Sequence, residues 1–187
     1  MPNIIGLDIS TSCIGHAAVD QSSGKIIWCN FLKFHKDDTL EDKFEKYVDS
    51  ISSLITSHDT VYIEEYMQYF KGRSNARTMT LLAHFNGMIR GELMSSNLPV
   101  YHIGPAEARK KLGFKAKKPK GYPSIKEYIL EEIQKKKLDN LIPMCYISKG
   151  KNKGRPKPEV YDASDALVIA LAGWKDVFEQ EQAGRTR

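Results

Sequence analysis

Cysteine is scarce in this sequence, and long apolar runs are missing from it. The 187 residues include three cysteines, none of which belongs to a Cys-x-x-Cys pair: Cys13, Cys29 and Cys145. This scattered, odd set argues against a disulfide framework or a cysteine-based zinc site, and it favours a reducing, cytoplasmic setting. No apolar run approaches the ~20 residues that cross a bilayer, and no basic segment precedes a long apolar one at the start. We therefore expect neither secretion nor a membrane partner.

The sequence has enough apolar residues for one globular domain. Its hydrophobic fraction is 41% and its charged fraction is 27%, which is typical of soluble globular proteins. A chain of this length can bury a substantial core. We assign residues 1–178 to a single domain with a basic insert around residues 113–158. Residues 179–187 are expected to form a flexible tail.

Charge is distributed unevenly along the chain. Residues 109–158 contain 16 Lys or Arg and 4 Asp or Glu, a local net charge of +12. The remainder contains 12 basic and 19 acidic residues, a net charge of −7. This division suits an enzyme that attracts a polyanion and holds cations at an acidic centre, although a solvated lysine-rich surface would give the same count.

The hydrophobic pattern predicts a mixed α/β architecture. Short apolar or alternating runs predict strands, and apolar residues at three- and four-residue steps predict helices. The predicted strands are residues 3–8, 14–19, 25–34, 60–64 and 99–103, and the predicted helices are 40–55, 74–96, 105–112, 124–137 and 162–178. Three early strands joined by short turns, followed by βα units, predict an antiparallel meander plus parallel strands, flanked by helices on both faces.

Carboxylates follow the apolar runs at three places. Asp8 ends the first predicted strand, and Glu64 ends the fourth. Asp162 and Asp165 open the last predicted helix at a spacing that places them on one face. Each alone has a simple structural explanation, such as a turn residue, an exposed side chain or a helix cap. Together they predict a convergent site, because functional residues gather at the carboxyl ends of strands in α/β sheets.

Four converging carboxylates require compensation of their charge. Two carboxylates ~4 Å apart repel by about 4 kcal/mol at an effective dielectric constant near 20. Protons or cations must offset this repulsion, and several hard oxygen donors favour Mg²⁺ or Mn²⁺ over zinc. Two such ions can activate a water and stabilise the leaving oxygen of a phosphodiester. We therefore predict a metal-dependent nuclease whose catalytic and metal-binding residues are Asp8, Glu64, Asp162 and Asp165.

Three segments resemble a known family in order along the chain. Ile-Ile-Gly-Leu-Asp-Ile-Ser (4–10), Val-Tyr-Ile-Glu-Glu-Tyr (61–66) and Tyr-Asp-Ala-Ser-Asp-Ala-Leu-Val-Ile-Ala-Leu-Ala (161–172) are similar to the acidic motifs of the RuvC-like Holliday junction resolvases. The third is the most specific, and the resemblance covers most of residues 3–173. It implies an RNase H-like fold, two Mg²⁺ or Mn²⁺ ions, and a homodimer that nicks a four-way DNA junction symmetrically. It also implies that the four carboxylates are the catalytic tetrad.

Candidate DNA-binding residues lie after the second acidic motif and in the basic region. In resolvases the loop after this motif enters the junction, where aromatic side chains can stack on bases or wedge between them. The candidates are Tyr69, Phe70, Arg73, Arg77, Arg109, Lys110, Lys111, Lys115, Lys117, Lys118, Lys120 and Lys126.

The sequence also departs from the family pattern. Ser10 stands where the first motif commonly has glycine, and the separation of Glu64 from Asp162 is longer than usual, with the surplus in the lysine-rich residues 113–123 and 145–158. Two alternatives remain open. One is a nuclease with the same fold acting on other branched DNA or on RNA–DNA hybrids. The other is a non-catalytic nucleic-acid-binding protein.

Overall fold

The described part of the chain begins with three strands, and two more strands and five α-helices follow. The computed structural model describes residues 1–65 and 76–185. The strands are β1 (Asn3–Ile9), β2 (Cys13–Asp20), β3 (Ile26–Lys33), β4 (Thr60–Glu64) and β5 (Val100–Ile103). The helices are α1 (Leu40–Ser50), α2 (Ala76–Ser95), α3 (Pro105–Lys111), α4 (Ile125–Lys135) and α5 (Pro158–Arg185), with a short 3₁₀ turn at Ser52–Leu54.

The strands form one mixed sheet in the order β3-β2-β1-β4-β5. β1 pairs antiparallel with β2, and β2 pairs antiparallel with β3. β4 runs parallel to both β1 and β5. The predicted meander followed by parallel strands is therefore confirmed, and β1 lies at the centre where the two kinds of pairing meet.

Each face of the sheet is covered by its own helices. Because side chains alternate along a strand, Ile5 and Leu7 of β1 pack towards α1 and α2, whereas Ile4 packs towards α3, α4 and α5. The apolar stretch of α5 is buried on nearly all sides, as its sequence predicts. No helix in the described part of the chain is both long and apolar enough to cross a membrane.

Two glycines allow α5 to lie directly on the sheet backbone. A Cβ on Gly6 of β1 would stand 2.3 Å from the carbonyl oxygen of Ala166, and a Cβ on Gly15 of β2 would stand 2.0 Å from that of Asp162. Real Cβ atoms do not approach this closely, so any larger residue would push the helix away. We call this pair, Gly6 and Gly15, the glycine seam.

Three helix boundaries differ from their predictions by four residues or more. α1 ends at Ser50 although the apolar pattern continues to residue 55, because the chain turns into the 3₁₀ segment there. α5 begins at Pro158, four residues before its predicted start, since proline lacks an N–H and suits the first helical turn. The prediction that Asp162 and Asp165 open this helix is therefore wrong, as they lie one and two turns inside it. The helix also extends to Arg185, beyond residue 178.

Part of the basic insert forms an irregular hairpin. Tyr146 and Pro156 form an isolated antiparallel bridge, and the amide of Ile147 donates to the Arg155 carbonyl at 2.9 Å. The Arg155 guanidinium lies 3.8 Å from a carboxylate oxygen of Glu127 on α4. The exposed tip of this hairpin carries Lys149, Lys151 and Lys153.

Candidate active site

Two carboxylates of the site come from neighbouring parallel strands. Leu7 of β1 is in register with Ile63 of β4, so Asp8 and Glu64 each follow the last paired residues. By the alternation of side chains, Asp8 shares the face of Gly6, and Glu64 shares the face of Tyr62. Gly6 and Tyr62 both contact α5. Asp8 and Glu64 are therefore directed to the same end and the same face of the sheet.

α5 brings the other two carboxylates to this edge. Gly15 is the cross-strand partner of Asp8, and the backbone of Asp162 packs against Gly15. The glycine thus lets the helix approach closely beside Asp8. Asp165 lies on the same helical face as Asp162 and is only 5% exposed.

A cleft of about 540 Å³ opens onto this group. Asp8, Glu64 and Asp165 line it together with two basic residues, Arg109 of α3 and Lys126 of α4. Leu82 of α2 and Pro105 form part of its apolar wall. The structure therefore brings together at least three of the predicted carboxylates and two of the predicted basic residues, and Asp162 joins them through Lys126.

Lys126 connects Asp162 and Asp165. Its Nζ donates to Oδ1 of Asp162 at 2.6 Å and lies 3.4 Å from Oδ2 of Asp165. Burial lowers the pKa of Lys126, but the charges of Asp165, Asp8 and Asp162 raise it more, so the net pKa lies above its ordinary value. Lys126 is therefore a permanently charged counter-ion within the acidic site.

The site carries more negative charge than its basic residues offset. Burial, followed by the charges of Glu64 and Asp165, raises the pKa of Asp8 well above its ordinary value. Burial and then Asp165 raise the pKa of Glu64 to about 7, against the lowering effects of Arg109 and Lys126. The pKa of Asp165 is also raised, again mainly by burial. These shifts show that additional positive charge would stabilise the ionised site.

The donors have the chemistry of a magnesium or manganese site. Carboxylate oxygens are the hard ligands that these ions prefer. A bound cation would also offset the repulsion among the carboxylates that contributes to their raised pKa values. Within residues 1–65 and 76–185, no three His, Cys, Asp or Glu side chains already stand close enough to hold one metal ion between them. The cation that Asp162 and Asp165 contact is Lys126. Metal binding would therefore draw the carboxylates together and loosen this contact.

The predicted DNA-binding residues are in varied surroundings. Tyr69, Phe70 and Arg73 lie outside the described residues. Lys111 forms an ion pair with Asp176 of α5 and lies 3.6 Å from Glu107, so it supports the packing of α3 on α5. The other predicted residues outside the cleft are exposed: Arg77, Lys110, Lys115, Lys117, Lys118 and Lys120.

One acidic residue of this region was missed by the sequence analysis. Glu159 lies one turn before Asp162 and is 6% exposed. One of its carboxylate oxygens is paired with Lys33 of β3, while the other, Oε2, is buried without a hydrogen-bond partner among the described residues. The sequence could have indicated this residue, because Glu159, Asp162 and Asp165 recur at three-residue steps, which place them on one face of a helix. Glu159 was not included because the helix was predicted to start at residue 162.

Known structures share this fold. Thermus thermophilus RuvC solved with a Holliday junction substrate superimposes with a TM-score of 0.61 and 16% identity, over 95% of this chain and 96% of that one. A second Thermus thermophilus RuvC structure gives a TM-score of 0.61 and 14% identity, over 95% of this chain and 96% of that one. The yeast mitochondrial Holliday junction resolvase gives 0.55 and 12% identity, over 95% of this chain and 80% of that one. No protein-family model and no curated protein matches the sequence.

The chain therefore has the fold of these RuvC and resolvase structures. The predicted resemblance to RuvC-like resolvases is confirmed at the level of the fold, and it extends over nearly the whole chain. The acidic cleft lies at the carboxyl ends of β1 and β4, where open α/β sheets place their functional residues.

Proposed function

We propose that this chain is a divalent-metal-dependent endonuclease that resolves four-way DNA junctions by paired nicks. The observation that carries the proposal is the convergence of Asp8, Glu64 and Asp165 on one cleft, with Asp162 tied to it by Lys126. The RuvC-like fold supports it, since two of the similar structures are junction resolvases by name or were solved with a junction. We expect the enzyme to act in the cytoplasm.

The four carboxylates would hold Mg²⁺ or Mn²⁺, with two ions expected in each site. When bound, these ions supply Lewis-acid stabilisation of the charge that develops on the scissile phosphate, and they lower the pKa of water. The protein's own contribution is to hold the carboxylates in place and to limit their exposure to solvent. Lys126 keeps Asp162 and Asp165 oriented before substrate arrives.

Two cations of the cleft would receive the phosphate. Arg109 and Lys126 line the cleft beside the carboxylates, and both are close enough to Glu64 and Asp165 to lower their pKa values. Arg109 can contact a phosphate through two parallel N–H donors. Once the carboxylates are neutralised, Lys126 is free to turn to the phosphate as well.

Exposed basic residues would attract the DNA arms. Lys115, Lys117, Lys118 and Lys120 are exposed on the segment between α3 and α4, and Arg77 is exposed at the start of α2. Each phosphate that these residues neutralise releases counterions, so binding should weaken steeply with salt. Such contacts position the duplex arms without reading their sequence.

Paired nicks require two sites, and we propose a homodimer for this reason. The outward face of α2 is a suitable contact. Gly87 and Gly91 have open space around their Cβ positions, and Met94, which is 55% exposed, lies on the same helical face at the i+7 and i+3 positions. A two-fold dimer would use this face on both subunits. Sedimentation equilibrium tests it, because Gly87→Glu should shift the mass towards the monomer.

A cleavage assay with three substrates tests the function. A synthetic four-way junction, a linear duplex and an RNA–DNA hybrid are incubated with Mg²⁺, with Mn²⁺ or with chelator. We expect paired nicks on the junction alone, dependent on the metal, that are lost in Asp8→Asn and Glu64→Gln. Glu65→Gln is the matched control, since it removes the same charge from an exposed neighbour.

Other outcomes would reject the proposal in different ways. Equal cleavage of all three substrates would remove the junction selectivity. Cleavage of the hybrid alone would favour an RNA-directed enzyme of the same fold, which requires contacts to the 2′-hydroxyl. Junction binding without cleavage in either metal would identify a binding protein.

A further inference from the structure

A second cavity adjoins the acidic site on the far side of Asp162. It has a volume of about 580 Å³, within the range of pockets that hold small ligands. Asp162 lines this cavity and also accepts the hydrogen bond from Lys126, which lines the acidic cleft. The two spaces therefore meet at the hydrogen bond between Asp162 and Lys126.

The residues that line the second cavity carry charges of both signs. Its basic residues are Lys33, Lys36 and Lys43, from the end of β3, the following loop and α1. Its acidic residues are Glu159 and Asp162 of α5. Thr11 and Ser12, in the turn between β1 and β2, add hydroxyl groups. We call this space the lysine cavity.

Two of the three lysines have no ion-pair partner among the described residues. Lys33 is paired with Glu159. Among the residues that the structure describes, Lys36 and Lys43 form no ion pair within 4 Å, although both face a cavity. Because Lys33 is already paired with Glu159, Lys36 and Lys43 are the two lining lysines whose charge is left to bind an anion.

We propose that the lysine cavity holds backbone phosphate of the DNA strand that flanks the scissile phosphate. This inference rests on the proposed function and assigns a path to the bound strand. The strand would pass from Arg109 and Lys126 in the acidic cleft, across Asp162, to Lys36 and Lys43. The basic segment that the sequence singled out, residues 109–158, would then supply only one side of the contact.

The chemistry of the contact determines its signature. Ammonium groups bind phosphate as point charges and do not distinguish bases. Each phosphate contact contributes about 0.9 to the slope of log K against log salt on duplex DNA and about 0.7 on single strands. Loss of two contacts should therefore lower the slope by about 1.4 to 1.8, and it should weaken binding to a similar degree for every flanking sequence.

The test compares two variants with the same net charge. Lys36→Gln/Lys43→Gln removes two positive charges from the cavity, and Lys25→Glu makes the same change in net charge at an exposed position in the hairpin between β2 and β3. The dissociation constant of a labelled four-way junction is measured by fluorescence anisotropy over a salt series, with chelator to prevent cutting. The single variant Lys36→Gln is measured in parallel, and melting temperatures confirm that all the proteins are folded.

A truncation series locates the contact on the strand. Junctions are prepared in which the cut strand ends shortly before or shortly after the cut site. We expect the double variant to bind the intact junction about tenfold or more weakly near 0.1 M salt, with a reduced slope. Truncation on one side should weaken the wild type by a similar factor and leave the double variant almost unchanged.

Two results would overturn the inference, and they separate it from the proposed function. If the double variant binds like Lys25→Glu, or if truncation weakens wild type and variant equally on both sides, the lysine cavity does not hold the strand, and junction cleavage by the wild type would leave the proposed function intact. If the wild type neither binds nor cuts branched DNA, both proposals fail.

Discussion

Replacing Glu64 by glutamine should stabilise the metal-free protein at neutral and alkaline pH. Burial and Asp165 raise the pKa of Glu64 from its ordinary value of 4.5 to about 7, and each pKa unit corresponds to about 1.4 kcal/mol. Keeping Glu64 ionised therefore costs up to about 3 kcal/mol above pH 7, a penalty that the neutral glutamine avoids. At 2–4 °C per kcal/mol for a chain of roughly this size, the melting temperature of Glu64→Gln should exceed that of the wild type by roughly 6–12 °C at pH 8.

The sign of the pH dependence follows from the raised pKa. At pH 4.5 and below, Glu64 is protonated in the folded state and at least half protonated in the unfolded state, so the two proteins should differ little in stability. As the pH rises to about 7, the unfolded state loses its proton first and the wild type loses stability relative to the variant. The assay is denaturant unfolding in chelator at several pH values between 4.5 and 8.

A control variant and added Mg²⁺ distinguish the removal of the buried Glu64 charge from a general effect of substitution. Glu65→Gln, at the exposed neighbour, should change stability by less than about 0.5 kcal/mol at every pH. Mg²⁺ should stabilise the wild type more than Glu64→Gln, because the ion offsets the same repulsion. The reasoning is wrong if Glu64→Gln is less stable than the wild type at pH 8, or if the difference between them does not change with pH.

Three further perturbations test other parts of the structure. Lys126→Met should bind Mg²⁺ about tenfold more tightly than the wild type in calorimetry, because the ion no longer displaces a charged hydrogen bond of about 1.5 kcal/mol. An unchanged affinity would show that Mg²⁺ and the Lys126 ammonium group do not compete for the carboxylates. Gly15→Ala should lower the free energy of unfolding by about 1–3 kcal/mol through overpacking against the backbone of Asp162. A change of less than about 0.5 kcal/mol would contradict the close contact of α5. Burial lowers the pKa of His16 from 6.5 to about 4. The free energy of unfolding of the wild type should therefore fall by up to about 3 kcal/mol relative to that of His16→Phe as the pH falls through that range. If the free energies of unfolding of the two proteins have the same pH dependence, this reasoning is wrong.

Much of the fold could be predicted because its elements have strong local patterns. The five strands and the mixed sheet follow from apolar runs and short turns, and Thr60–Glu64 has the predicted bounds. The start of α5 was misplaced because Pro158 to Tyr161 continue the helix without continuing the apolar run. The end of α1 could not be found from periodicity, since Ile51 and Leu54 maintain the pattern after the helix has ended.

The site could be predicted only in part. Asp8 and Glu64 were identifiable because each directly follows a buried strand, and the structure places them on the same cleft. The contact of Lys126 with Asp162 joins residues 36 positions apart, so no local pattern reveals it. The same holds for the pairing of Glu159 with Lys33, which depends on how α5 crosses β3. Tertiary packing, rather than residue type, selects these partners.

The glycine seam also affects how a mutational scan of this protein should be interpreted. In an activity screen, substitutions at Gly6 and Gly15 should score as severely as those at Asp8, although neither glycine has a side chain to offer the reaction. The two classes separate when each variant is scored twice, once for activity and once for abundance. Conservative carboxylate substitutions should retain abundance or increase it, whereas larger residues at the seam should lower activity and abundance together. Because helix and strands meet there through backbone atoms, tolerance at these two positions is set by the volume of the side chain and hardly at all by its polarity.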